Sequence, residues 1–209
     1  MRITVLGGAG KMGCIAVQHL VNDPRVYEVV IADLNVEQAQ EVATILDSPK
    51  LSIRRVDLAD REDLIHALHG SQSCLNATVY YTNLPVMEAC LAAQVSYVDL
   101  GGLFHTTRRQ LELHDEFAAA GISVVLGMGS APGIPNVQAR YGADRLDTIE
   151  SIRIYDGIKP PPPGASTFTY AVATILDELT LAPVIFRDGQ FVTCQPMSEF
   201  EDYAFAAPL

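Results

Sequence analysis

Residues 3–20 read ITVLGGAGKMGCIAVQHL. A β-branched run enters, glycines follow, and a helical pattern leaves. The glycines fall into two registers. Gly8, Gly10 and Gly13 spell G-x-G-x-x-G, while Gly7, Gly10 and Gly13 spell G-x-x-G-x-x-G. A loop of this kind binds phosphate through backbone N–H groups at a helix start, aided by the helix dipole. One glycine turns the chain out of the strand, one admits a pyrophosphate, and one lets helix pack on strand. The spacing alone is weak. Its place between a strand and a helix, inside a βαβ unit of about 30 residues, is the confirming context for a dinucleotide site.

The same alternation continues outward. RITVL and YEVVIAD are expected strands, with KMGCIAVQHLVN a helix between them that carries Met12, Ile15, Ala16, His19 and Leu20 on one face. NVEQAQEVATIL is a second helix, started by Asn35 with Gln38. SIRRVD, SCLNAT, VSYVDL and ISVVLGMG are further strands; DREDLIHALHG, LPVMEACLAAQ and TRRQLELHDEFAAAG are further helices. Strands that alternate with helices imply right-handed crossovers and a parallel sheet covered on both faces. The fold expected is α/β: a Rossmann-type doubly wound parallel sheet over residues 1–130, followed by an incomplete second α/β domain over 131–209. In that second part TIESIRIYDG alternates as a strand, KPPPPGAS is a loop, TFTYAVATILDEL is a helix, and VIFRDGQFVTC is a hairpin turning at Asp188-Gly189. These are too few elements to bury a core. The chain reads as the front part of a longer protein.

Bulk properties exclude several classes. No apolar run approaches the ~18 residues of a membrane span. No signal-peptide layout opens the chain, so a soluble, cytoplasmic protein is expected. A net charge of −11 argues against nucleic acid. Cys14, Cys74, Cys90 and Cys194 are widely spaced without a C-x-x-C, against zinc and disulfides and for small buried thiols.

Ligands of such sheets bind outside the carboxyl ends of the strands. The candidate cofactor shell is therefore Gly8, Ala9, Gly10, Lys11, Met12 and Gly13 of the first loop, then Asp33 and Leu34, Asp57 and Leu58, Asn76, Ala77 and Thr78, and Leu100 and Gly101. Asp33 would accept from both adenosine ribose hydroxyls and repel a 2′-phosphate. No arginine occupies 34–36, so NAD is expected over NADP. The alternative is that Asp33 merely caps the turn before Asn35. Tyr155 and Lys159 have the four-residue spacing of a short-chain-reductase pair, but Asp156-Gly157 between them and Pro160 after them break any shared helical face.

VLGGAGKMG, YYTNLPVMEACLAAQVSYVDLGG and GMGSAPGIPN, in that order, resemble the saccharopine dehydrogenase family, most nearly its lysine 6-dehydrogenase-like branch. The resemblance runs to about residue 195. It implies an oxidoreductase that uses NAD or NADP to make or break a C–N bond of an amino acid. It also implies a second domain that dimerises, so a homodimer is expected, with no nucleic-acid or membrane partner. Family members are roughly twice as long. The family pattern usually has an acid before Pro132-Gly133, where this chain has Ala131.

Oxidising an amine carbon needs a neutral amine, and so a base near the nicotinamide end. By the resemblance, Asp99 and Tyr81 line that cleft. Asp99 is the first candidate base and Tyr81 the second, with orienting or packing roles open to Tyr81. His105, an imidazole just past Gly101-Gly102, is the third. Arg108 and Arg109, read at a helix start, are either partners for a substrate carboxylate or solvated. GSAPGIPN is either a carboxylate-binding helix start or a hinge between domains. An amine-joining synthase that retains its NAD, and a catalytically incomplete dinucleotide-binding fragment, are the alternative functions.

Overall fold

The structure is a computed structural model that describes residues 1–157 and 170–206. Two compact units divide after Ile134. The first is a six-stranded sheet in the order β3-β2-β1-β4-β5-β6, with every pair parallel. Its strands are β1 (Arg2–Leu6), β2 (Glu28–Asp33), β3 (Leu51–Arg55), β4 (Ser73–Asn76), β5 (Ser96–Asp99) and β6 (Val124–Val125). The connecting helices are α1 (Lys11–Asn22), α2 (Val36–Leu46), α3 (Arg61–Leu68), α4 (Asn83–Ala93), α5 (Phe104–Leu111) and α6 (His114–Ala120). The expected doubly wound Rossmann-type sheet is present.

Both faces of the sheet are buried, as a parallel sheet with crossover helices requires. On one face Ile3, Val5, Val29 and Ile31 pack with Val17, Val21 and Ala39 of α1 and α2. On the other, Leu6, Cys74 and Tyr97 pack with Leu64, Leu68, Met87 and Phe117. Local signals set the helix ends. Asn35 accepts at Oδ1 from Gln38 N (3.1 Å), as its position predicts. Asp60 accepts at Oδ1 from Glu62 N (3.0 Å) and Asp63 N (3.1 Å) to start α3.

Several expectations change. The buried stripe of α1 is Gly13, Val17 and Val21, whereas Met12 and Ile15 are exposed. Gly13 must face β1, and that contact fixes the rotation of the helix. TRRQLELHDEFAAAG is two helices broken at Glu112–Leu113, and the first starts earlier, at Phe104. Arg108 and Arg109 therefore lie in the last turn of α5, not at a helix start. There they suit the negative helix end. Strand β6 is two residues long, because Asp99 captures Gly127 N at 2.7 Å and bends the chain away. Of the four cysteines, all free, only Cys74 and Cys90 are buried. No helix among the described residues is long and apolar enough to cross a membrane.

The second unit contains α7 (Ile134–Ala143), which begins at the unit boundary, α8 (Val172–Thr180) and the antiparallel hairpin β7 (Val184–Arg187) and β8 (Gln190–Thr193). The hairpin turns through Asp188 (φ 50°) and Gly189 (φ 78°), as the sequence signals. Residues 148–157 form no strand, contrary to their alternation. An alternating segment becomes a strand only where a partner edge pairs with it. The proline-rich loop and Lys159 lie outside the described residues. No described residue from Pro135 onward is buried, so this part builds no core of its own.

Candidate functional site

Parallel register brings the carboxyl ends of the strands to one edge. Leu6 lies beside Ala32 and Asn76, and Asn76 beside Asp99. The order in which successive strands are added reverses between β1 and β4, which is where doubly wound sheets bind ligands.

The glycine loop sits at that point, and its geometry selects between the two registers. Gly7 makes the turn, with φ +70° and its N–H on Ala32 O at 2.9 Å. Gly10 caps α1, its N–H on Gly7 O at 2.9 Å. A Cβ on Gly13 would run into the Gly7 carbonyl, so this glycine is what lets α1 approach the strand. The glycines at the turn, at the helix cap and at the helix–strand contact are thus Gly7, Gly10 and Gly13. Gly8, a candidate contact from the other register, is instead buried against Val5 O and Ile31. Helix α1 has no side-chain cap and no acid in its first turn, while Lys11 and Met12 are exposed. An uncapped helix start with backbone donors facing outward is the donor set an anion needs.

Asp33 lies beside this cradle. Its Oδ2 accepts from Ala9 N (3.1 Å) and its Oδ1 from Asn35 N (3.0 Å). The bond to Asn35 is the cap weighed in the sequence, and the bond to Ala9 ties the β2 tip to the glycine loop. A carboxylate has about four lone-pair sites, so both oxygens retain capacity for ribose hydroxyls. Leu34 is 58% exposed at the same tip. Asp57 is half-buried and accepts from Ala59 N (3.0 Å), while its own N–H donates to Asp63 Oδ2 (3.0 Å). That N–H, helped by Arg54, holds the Asp63 carboxyl below its ordinary range. Leu58 packs partly on the core.

At the β4 tip the side chain of Asn76 is taken up internally, which removes it as a direct cofactor ligand. It is 1% exposed. Its Nδ2 donates to Asn83 Oδ1 (3.0 Å), and its Oδ1 accepts from Thr78 Oγ1 (2.6 Å) and Thr78 N (3.2 Å). Thr78 Oγ1 also meets Thr82 Oγ1 at 2.6 Å. The Thr78 methyl and Ala77 carbonyl press on Gly7: a Cβ there would lie 2.8 Å from Thr78 Cγ2 and 3.2 Å from Ala77 O. Asn76 therefore positions Thr78, and Thr78 fixes the loop. Burial pushes the Tyr97 phenol, 3.4 Å from Asn76 Nδ2, far up, so it stays neutral.

Asp99, the first candidate base, is built in as a tie. It is 1% exposed; Oδ1 accepts from Gly101 N (2.9 Å) and Gly127 N (2.7 Å), and Oδ2 from Gln110 Nε2 (2.7 Å). A carboxylate buried under three donors has no oxygen open to a substrate proton. Leu100 and Gly101 then form a loop on which Pro132 rests; a Cβ on Gly101 (φ +110°) would lie 2.7 Å from Pro132 Cγ. Gln110 and Gly127 escaped the sequence reading because both lie far along the chain from Asp99. Tyr81 is 61% exposed after the β4 tip, its ring edge-on to Tyr80 at 5.7 Å. His105 is exposed in the first turn of α5, not in a loop.

Comparison with known proteins bears on the family and the fold. The sequence model of the saccharopine dehydrogenase NADP binding domain matches residues 3–125. The chain is 27% identical to carboxynorspermidine synthase of Vibrio cholerae over 75% of this chain and 44% of that protein. It is 24% identical to carboxyaminopropylagmatine dehydrogenase of Synechocystis over 97% of this chain and 53% of that one. It thus spans about half the length of the curated relatives it matches. Apo saccharopine dehydrogenase (L-Glu forming) of Saccharomyces cerevisiae superposes with a TM-score of 0.66 at 19% identity, over 93% of this chain and 44% of that one. That likeness shows the shared fold. The matched domain is named for NADP, where Asp33 alone predicts NAD; a nicotinamide dinucleotide satisfies both.

Proposed function

The chain belongs to the saccharopine dehydrogenase family through its dinucleotide-binding domain, and from there we propose that it is the coenzyme-binding part of an oxidoreductase acting on the C–N bond of an amino acid. The reaction type is that of saccharopine or lysine 6-dehydrogenases. The observation that carries this reading is the cradle. Gly7, Gly10 and Gly13 clear the approach to an uncapped helix start, and Asp33 is pinned beside it. Backbone N–H groups of Met12 and Gly13 at the start of α1 would hold the pyrophosphate, Asp33 a ribose, and the Ala77–Thr78 tip would border the second ribose.

A bound nicotinamide supplies hydride acceptance or donation at the substrate carbon. The chain's own residues do the rest. The substrate amine must lose a proton before hydride leaves its carbon. With Asp99 sealed, Tyr81 and His105 are the exposed polar side chains near the β4 and β5 tips for that task, Tyr81 first. Asp99 acts by holding the Gly101 and Gly127 turns. The second unit is assigned to substrate binding and to homodimer formation.

A second reading is favoured by the names of the relatives, two being a synthase and a dehydrogenase of carboxylated amines. In it one amine would be oxidised to an imine, a second amine would displace ammonia from that imine, and the joined imine would be reduced back to an amine, so that a retained coenzyme would undergo no net change. The deciding experiment incubates this chain, and any longer form of it, with lysine, saccharopine and diamines plus NAD or NADP. Stoichiometric reduced coenzyme supports the dehydrogenase. Product without net coenzyme reduction supports the synthase. A coenzyme that binds while no amine reacts in any form of the protein contradicts both.

A further inference from the structure

The sequence offers no arginine directly after Asp33, but the sheet brings one from another strand. Arg55 ends β3 in register with Asp33, which ends β2. Adjacent strands lie about 4.8 Å apart, and residues in parallel register project to the same face. The preceding Arg54 projects to the other face, where its Nη2 meets Asp63 Oδ1 (3.4 Å) and His66 Nδ1 (2.6 Å). Arg55 is exposed and makes no hydrogen bond or ion pair among the described residues. Its Cα is in register with that of Asp33, and its charge also acts on Asp63.

We propose that Arg55 is the specificity-determining residue that lets this site accept a 2′-phosphate, so that the chain binds NADP as well as NAD. The inference rests on the cofactor reading above and deepens it. Asp33 alone would repel a 2′-phosphate. Its two oxygens are already anchored by Ala9 N and Asn35 N, so it stays in place when the ligand changes. An exposed guanidinium on the neighbouring strand offsets its charge and offers paired donors to the phosphate oxygens. With NAD the same arginine has nothing to bind and remains in solvent. The site is thereby tolerant of both coenzymes, which reconciles an acid at the end of β2 with a domain named for NADP.

The test is calorimetric titration of this chain and of its Arg55→Gln and Arg55→Lys variants with NAD, NADP, ADP and 2′,5′-ADP. Arg55 is exposed at a strand end, so both variants are expected to fold, and circular dichroism checks it. Arg55→Gln is expected to weaken NADP and 2′,5′-ADP by roughly 10- to 100-fold and to leave NAD and ADP within about twofold. Arg55→Lys restores part of the loss. An unchanged NADP-to-NAD ratio in Arg55→Gln, or a wild-type chain that binds NAD and not NADP, overturns the role of Arg55 alone. A folded wild-type chain that binds neither dinucleotide overturns the cofactor reading itself, and this proposal with it.

Discussion

Gln110 Nε2 donates to Asp99 Oδ2 at 2.7 Å, and both residues are at most 2% exposed. The pair joins α5 to the end of β5, and Gly101 and Gly127 complete the carboxylate's set of donors. Asp99→Asn would turn an amide N–H₂ toward groups that are themselves donors. It is expected to cost about 2–4 kcal/mol of unfolding free energy, read by urea denaturation. Coenzyme affinity in the fraction that stays folded should change little. A stable Asp99→Asn protein with normal coenzyme binding and no turnover would instead return Asp99 to the role of base.

Gly13 is the tightest point of the fold's first crossover. Ala at 13 would put a methyl against the Gly7 carbonyl, which cannot move without disturbing β1. Overpacking of this kind costs about 1–3 kcal/mol or more. Gly13→Ala should therefore lower the urea midpoint and weaken dinucleotide binding together.

Asp63 gives a pH signature. Its folded-state pKa is lowered, chiefly by the Asp57 N–H and then by Arg54. A lowered carboxyl contributes stability that is fully present above the unfolded value of about 4 and fades as pH falls through the lower folded value. The stability gap between wild type and Asp63→Ala should be constant near neutrality and narrow in acid. A gap that does not change with pH would mean that Asp63 acts by packing alone.

Tyr81 and His105 are separable by kinetics. Both are exposed, so Tyr81→Phe and His105→Gln should each alter stability by less than about 0.5 kcal/mol. If Tyr81 takes the substrate proton, Tyr81→Phe lowers kcat by roughly 100-fold or more with coenzyme affinity unchanged. His105→Gln then has a small effect. The reverse result exchanges their roles.

The sheet was legible because its strands carry unbroken β-branched runs and its helices start at Asn35 and at Asp60 as capping chemistry dictates. The glycine loop between β1 and α1 was legible in outline for the same reason. Its register was not, because only the backbone at Gly7 and the Gly13 contact decide which glycine turns and which packs. Met12 and Ile15 misled the reading of α1, since apolar character marks a buried stripe only when neighbouring elements cover it. Asp99 misled for a different reason. The residues that seal it, Gly101, Gly127 and Gln110, lie on three separate segments, and local spacing carries no record of them. Asn76 was placed at the right strand tip but turned inward by Asn83 and Thr78.

Gly10 offers the most direct test. It caps α1 with φ −73° and ψ 171°, a conformation open to any residue, and a Cβ there meets only Gly7 O, at 3.2 Å. Gly10→Ala should thus fold with a stability within about 1 kcal/mol of wild type. Its methyl would stand where the pyrophosphate must approach. Titration with NAD and NADP is expected to show binding by wild type and a loss of roughly 100-fold or more in Gly10→Ala, since each backbone bond to a charged group carries about 1.5–3 kcal/mol. Equal affinity of the two folded proteins, or no binding by wild type, would contradict a dinucleotide held at this loop.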